Sequence, residues 1–360
     1  GVGLDVRATG TATISMIALE TAREIRAAGT ARVNLTLTGA LNAIATSGTV
    51  DLADATLADT DTGFGVAGAT GRIAFTGRQA TIQQLTGRLA QGGDIAASGT
   101  IDIAGAGLPA NLKLRVTNGR YADGALINTT FNADLAISGP LTGSGVVSGA
   151  VDLGRTEIQL PDRFGGAATA IDVKHVNAAP GFTPPKLRQA AAGTASSARR
   201  GGLRLDVALS ANRGLFVRGF GIDSELGGTV RIGGTTGNPQ AAGAFTQRRG
   251  RIEVLGRRFD FQSGTLTFAG DLIPVVDFAA TTTTSDGTVT LNVTGPANDP
   301  KITFTSSPAL PQEEILSRLL FNQAVGKLSP LQAAQLVDAV AQLTGALGGT
   351  GLVARVRQAT

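Results

Sequence analysis

Apolar and polar residues alternate in short runs along most of the chain, most plainly between Gln247 and Phe321. Arg251-Ile252-Glu253-Val254, Phe259-Asp260-Phe261, Thr265-Leu266-Thr267-Phe268, Val289-Thr290-Leu291-Asn292-Val293 and Lys301-Ile302-Thr303-Phe304 all follow this rule. Successive strand side chains point to opposite faces, so the pattern predicts strands with one apolar and one polar face. Gly256, Ser263-Gly264, Ser285-Asp286-Gly287 and the run from Gly295 to Pro300 separate them with turn chemistry. No helical period intervenes, which predicts an antiparallel or coiled β ladder and not a βαβ array.

Upstream, Leu4-Asp5-Val6 reads as a short strand, and Ile14, Ile17, Ala18, Ala22 and Ile25 fall at helical spacing before Gly29. A short helix near 14–28 is therefore expected. A Gly-Thr opening followed by alternation recurs at Gly29, Gly228 and Gly287, at irregular intervals. Strand patterns crowd the stretch from Gly48 to Leu160, lapse at Ala179, and resume at Leu203. The division expected is a β section over 1–178, a loop or linker over 179–202, a second β section over 203–306, a helical segment over 307–348 and a tail over 349–360. In the helical segment Ile315, Leu316, Leu319 and Leu320 form an apolar face opposite Glu313, Glu314, Ser317 and Arg318. Ser329-Pro330-Leu331-Gln332 is a capping box opening a second amphipathic helix, with Leu336, Val340, Leu343 and Leu347 in one stripe.

Composition sharpens this picture. Fifty glycines, 4% aromatic and 16% charged residues describe a turn-rich, strand-rich chain, while 42% hydrophobic residues keep it out of the disordered class. No apolar run reaches the roughly 20 residues a membrane-spanning helix needs. The start at Gly1, without methionine, suggests a processed or excised piece. The net charge of +4 comes with arginines gathered between Arg199 and Arg258, which reads as solubilisation of the polar sheet face; no nucleic-acid motif accompanies them.

Catalytic chemistry is sparse. Cysteine is absent and His175 is the one histidine, so thiolate or His-rich metal sites are excluded, and no catalytic motif surrounds His175. Gly63-Phe64-Gly65-Val66-Ala67-Gly68 fits a dinucleotide fingerprint as a string, but no βαβ unit encloses it. The expectation is no enzyme, no cofactor and no metal.

Several stretches resemble the TamB family, the translocation and assembly module subunit of diderm bacteria. They are Gly149 to Pro161, Leu215-Phe216-Val217-Arg218-Gly219, Glu225-Leu226-Gly227-Gly228, Arg248 to Phe261, Ser306 to Phe321, and most specifically Leu328-Ser329-Pro330-Leu331-Gln332-Ala333-Ala334-Gln335-Leu336. The resemblance implies a mostly β fold: a long, twisted, incompletely closed β-taco (half-pipe) with an apolar interior, related to AsmA-like and bridge-like lipid carriers and followed by two amphipathic helices. It further implies a periplasmic protein anchored in the inner membrane, paired with a TamA-like outer-membrane barrel, and serving phospholipid transport and outer-membrane protein assembly. Against the family pattern this chain lacks the anchor and the last β segment, as expected of a carboxyl-terminal portion.

Phospholipid acyl chains and nascent outer-membrane proteins are the partners expected. Candidate groove-lining residues, from the apolar phase of each strand, are Ile252, Val254, Phe259, Phe261, Leu266, Phe268, Val289, Leu291, Val293, Ile302 and Phe304. The same residues equally fit the dry core of a closed β-helix. Two rival functions therefore stand beside the lipid bridge: a β-augmentation scaffold for outer-membrane proteins, and a secreted β-helical adhesin or autotransporter passenger.

Overall fold

Alternation becomes strand pairing from one end of the chain to the other. The computed structural model describes residues 3–14, 25–40, 43–59, 64–124, 126–160, 202–219, 221–284 and 286–343. The strands are β1 (Leu4–Thr13), β2 (Ile25–Ala40), β3 (Ala43–Asp59), β4 (Gly65–Gly77), β5 (Gln79–Leu89), β6 (Asp94–Asp102), β7 (Pro109–Ala122), β8 (Ile127–Pro140) and β9 (Val146–Gln159). There follow β10 (Arg204–Gly219), β11 (Ile222–Thr235), β12 (Asn238–Val254), β13 (Arg257–Gly270), β14 (Val275–Thr284), β15 (Gly287–Pro296) and β16 (Lys301–Ser307). Two helices, α1 (Gln312–Phe321) and α2 (Pro330–Leu343), close the described chain, with one 3-10 turn at Val325–Lys327 between them.

All sixteen strands lie in one sheet in chain order, and β1 does not pair with β16, so the sheet is open and not a barrel. Every neighbouring pair is antiparallel except β9 and β10, which run parallel from Arg204 opposite Val146 to Arg218 opposite Gln159. The two β sections expected on either side of residues 179–202 are thus joined directly in one ladder. Residues 161–201, with His175 and most of the expected linker, lie outside the described residues.

One expectation is corrected at the amino end. Ile25 to Ala28, the last turn of the expected helix, are strand and pair with Asp59 to Thr56 on β3. Helical spacing of a few alanines and isoleucines is a weak preference, and a neighbouring strand that satisfies every backbone group outweighs it. Residues 15–24 lie outside the described residues.

Glycine and bulges bend the sheet. Gly48, Gly99, Gly149, Gly228 and Gly243 sit inside strands at φ between +125° and +157°, and a Cβ on any of them would lie 2.0 to 2.5 Å from a carbonyl oxygen of the adjacent strand. Only glycine fits there, and such kinks curve a sheet. Register shifts mark a second line of bending, at Gly29 on β2, between Val116 and Gly119 on β7, and between Ser210 and Leu215 on β10. Where a glycine leaves a gap an aromatic ring can cover it: Phe278 lies over Gly264, its partner in register.

The turns fall on two rims. The near rim carries the β4–β5, β6–β7, β8–β9, β11–β12, β13–β14 and β15–β16 connections; the far rim carries β3–β4, β5–β6, β7–β8, β10–β11, β12–β13 and β14–β15, and α1 leaves from it. The capping box forms as expected, with the Ser329 amide donating to Gln332 Oε1 (2.9 Å) and the Gln332 amide to Ser329 Oγ (3.3 Å). On α1, Ile315, Leu316 and Leu319 are buried against the sheet. Ser317, expected on the wet side, is also fully buried; the turn after α1 folds back and its Gln323 O accepts a hydrogen bond from the Ser317 hydroxyl (2.7 Å).

Candidate hydrophobic groove

Register turns the alternation of single strands into rows that cross the sheet. One row passes through Leu52, Leu85, Leu114, Leu135, Val207 and Ile232, with Gly71, Ala97 and Gly149 on the strands between, and ends at Ala31 on β2 and Ala241 on β12. A second runs beside it from Val33 through Val50, Ile73, Ile82, Gly99, Leu112, Ile137 and Val147 to Leu205. From β2 to β12 there are ten steps of about 4.8 Å, so the apolar lane extends about 50 Å. Its larger members are half-buried: the aliphatic side chains from Leu52 to Ile232 are neither sealed nor fully in water.

The opposite face is polar and self-neutralised. Arg72 pairs with Asp51 (2.6 Å), Arg115 with Asp134 (2.6 Å) and Arg249 with Glu225 (2.5 Å), each directly across a strand pair. Arg249, then the Gly214 amide, hold the Glu225 carboxyl below its ordinary value. Exposed pairs of this kind contribute about 0–1 kcal/mol each. Their weight is geometric: they fix which face is wet, and so which is the lane. Among the described residues no group of three or more His, Cys, Asp or Glu is placed to hold a metal.

A family model for the TamB C-terminal domain matches residues 83–360, from β5 to the end of the chain. The chain belongs to the TamB family. No curated protein matches it. Membership of the TamB family supports a role in outer-membrane assembly or lipid transport of the translocation-and-assembly-module type, in general terms, and points to the periplasm. No helix among the described residues is long and apolar enough to cross a membrane.

Within this TamB-family sheet the eleven residues singled out from sequence do not share one environment. Ile252, Phe259, Val289, Leu291 and Phe304 are each 5% exposed or less and form one cluster with Ile315, Leu316 and Leu319 of α1 and Leu336 of α2. Val254, Phe261, Val293 and Ile302 pack against that cluster. Leu266 and Phe268 join the neighbouring cluster around Leu226, Val230 and Phe245. The apolar face on β13 to β16 is therefore covered by helices, and the half-buried lane lies upstream, on strands with smaller side chains. The signal was present there: Leu112, Leu114, Leu135 and Ile137 alternate as cleanly as Val289 to Val293.

Burying Ile315, Leu316 and Leu319 stabilises the helical cover by about 1.5–3 kcal/mol each. A polar clasp completes it. Arg318 pairs with Glu314 (2.8 Å) and with Asp286 of the β14–β15 turn (2.7 Å), and Arg257 Nε donates to Leu319 O (3.2 Å). Glu314 Oε2 also accepts the Val325 amide (3.0 Å), and this bond, followed by Arg318, lowers the carboxyl pKa from 4.5. A lowered folded-state pKa means the stabilisation is complete above the ordinary value and is lost as pH falls through the lower one. Protection of the Val325 amide against hydrogen exchange, corrected for intrinsic rate, is thus expected to drop only as pH is taken below the ordinary glutamate value. In Glu314→Gln, which keeps an acceptor but has no carboxylate to protonate, it should not change with pH, and a pH-independent wild-type profile would discard the clasp.

Proposed function

We propose that this TamB-family chain forms part of a periplasmic bridge between inner and outer membranes, along which phospholipid acyl chains slide under cover of the apolar lane. The observation that supports this most is the continuous register of apolar positions and glycines from β2 to β12, in which the larger side chains are half-buried. Each CH₂ kept out of water is worth about 0.8 kcal/mol, so a continuous lane lowers the aqueous barrier to moving a lipid without requiring recognition of its headgroup. The reading includes an inner-membrane anchor outside this sequence, a TamA-like barrel at the outer membrane and support of outer-membrane protein assembly. No catalysis is assigned to it. The decisive experiment places a photo-crosslinking residue at Leu135 and identifies captured molecules by mass spectrometry; phospholipid adducts are expected, and capture of protein alone would overturn the reading.

The β-augmentation reading keeps one specific support. β1 is exposed at eight of its ten residues, and its outer edge has no strand partner among the described residues. An unpaired edge is a template for an added strand. Proline at Val6 and at Arg7, in separate variants, should leave lipid transfer unchanged and abolish strand addition to this edge if that role holds, with adduct formation to a client hairpin as the readout.

A further inference from the structure

We propose that α1 is a removable stopper seated in an acyl-chain site formed by β13 to β16, so that the helix holds a place a lipid tail takes when it lifts. The inference rests on the lane reading above and adds to it where the lane is blocked and by what.

The lane runs into the upstream cluster through Ile232 and Ala241, and the floor beneath α1 adjoins that cluster. The Phe261 ring packs into the cluster under the helix and the Phe278 ring into the one upstream, and the two meet at 5.4 Å between centroids. Phe261, Ala280, Leu291 and Phe304 form a cross-strand row of the same kind as those upstream. The difference is that here Ile315, Leu316 and Leu319 fill the space above the row. These are branched hydrocarbon groups lying on an apolar floor, chemically what an acyl chain would offer.

The helix is also built to leave as a unit. It pairs with no strand, and among the described residues its polar bonds to the sheet are those of Arg318 with Asp286 and of Arg257 with Leu319 O. Its other polar contacts stay within the helical segment: Glu314 with Arg318 and the Val325 amide, Ser317 with Gln323, and the left-handed cap at Asn322 bonding back to Arg318 O. Lifting α1 therefore breaks two tethers and an apolar contact while the helix–turn–helix unit keeps its own bonds, and no sheet ladder is opened.

The chain contains no cysteine, so introduced thiols are unique. Benzoylphenylalanine is placed at Phe261, under the stopper, or at Leu135, on the open lane, and the full chain is irradiated with phosphatidylethanolamine–phosphatidylglycerol vesicles. Three backgrounds are compared: wild type, Arg318→Ala, and a locked form in which Asp286→Cys and Arg318→Cys are bridged by a bifunctional maleimide. Lipid adduct at Leu135 is expected in all three. At Phe261 it should rise about fivefold in Arg318→Ala and disappear in the locked form. Equal adduct at Phe261 in locked and loosened chains overturns the stopper while leaving the lane intact. Absence of adduct at Leu135 in every background overturns the lane and the stopper together. Asp286→Asn, which loosens the same tether from the sheet side, serves should Arg318→Ala fail to fold.

Discussion

Leu135→Arg is expected to stop phospholipid transfer while the sheet stays folded. Leu135 sits mid-lane, between Leu114 on β7 and Gly149 on β9, and is only half-buried. The folded chain can therefore accept an arginine whose stem lies along the lane and whose guanidinium reaches water. A hydrocarbon tail crossing that point would have to strip water from the charge, at a cost of several kcal/mol. Even 2–3 kcal/mol on the barrier slows transfer about 30- to 150-fold. Fluorescent-lipid transfer between donor and acceptor vesicles reads this directly, with Ala136→Arg, one residue along on the polar face opposite Lys113, as the control expected to behave as wild type. Transfer by a folded Leu135→Arg chain at the wild-type rate removes the lane from the mechanism. The same charge at Leu291, 1% exposed under α1, tests stability instead and is expected to unfold the capped end.

Gly149→Ala is expected to cost about 3 kcal/mol or more, a large share of the stability of an ordinary domain. The residue holds φ +136°, and its Cβ would stand 2.1 Å from Asp134 O, a contact with backbone that cannot step aside without opening the β8–β9 ladder. Gly143→Ala provides the comparison, since it has a similar φ of +142° with nothing within 4 Å. There only backbone strain is paid, about 1–3 kcal/mol. A clear gap in denaturation midpoint between the two variants, with Gly149→Ala the weaker, isolates the close approach of strands; equal midpoints would mean the kink relaxes and does not shape the sheet.

The mostly β character and the open sheet were legible because a period of two is hard to produce otherwise, and Val289 to Val293 or Leu112 to Val116 state it without interruption. The second helix was legible because its capping box is a local device whose two bonds form within four residues. Non-local facts were not. Ile25 to Ala28 have helical spacing, but their fate was decided by β3, some thirty residues on. The eleven candidate lining residues gather towards the carboxyl end because the largest apolar side chains are there. Phe259, Leu291 and Phe304 are large because they pack against a helix, whereas the more open lane uses Val, Ile, Leu and Gly, whose modest size lets the sheet curl. Short turns imply antiparallel neighbours, but the long interval between Leu160 and Leu203 leaves the direction open, so the parallel β9–β10 step was visible only as a gap in the alternation.

That step has an arithmetic consequence. Antiparallel neighbours reverse direction at each pairing, so sixteen strands joined only by hairpins would end on the side where the first began. The lone parallel pairing changes the parity and sends β16 out at the opposite side, where α1 finds the β12–β13 corner and Arg257 within reach. Hairpins add strands two at a time and leave parity untouched. A sheet of this design can be lengthened or shortened by whole hairpins without displacing its terminal helices, whereas gain or loss of a single strand would carry them to the wrong side.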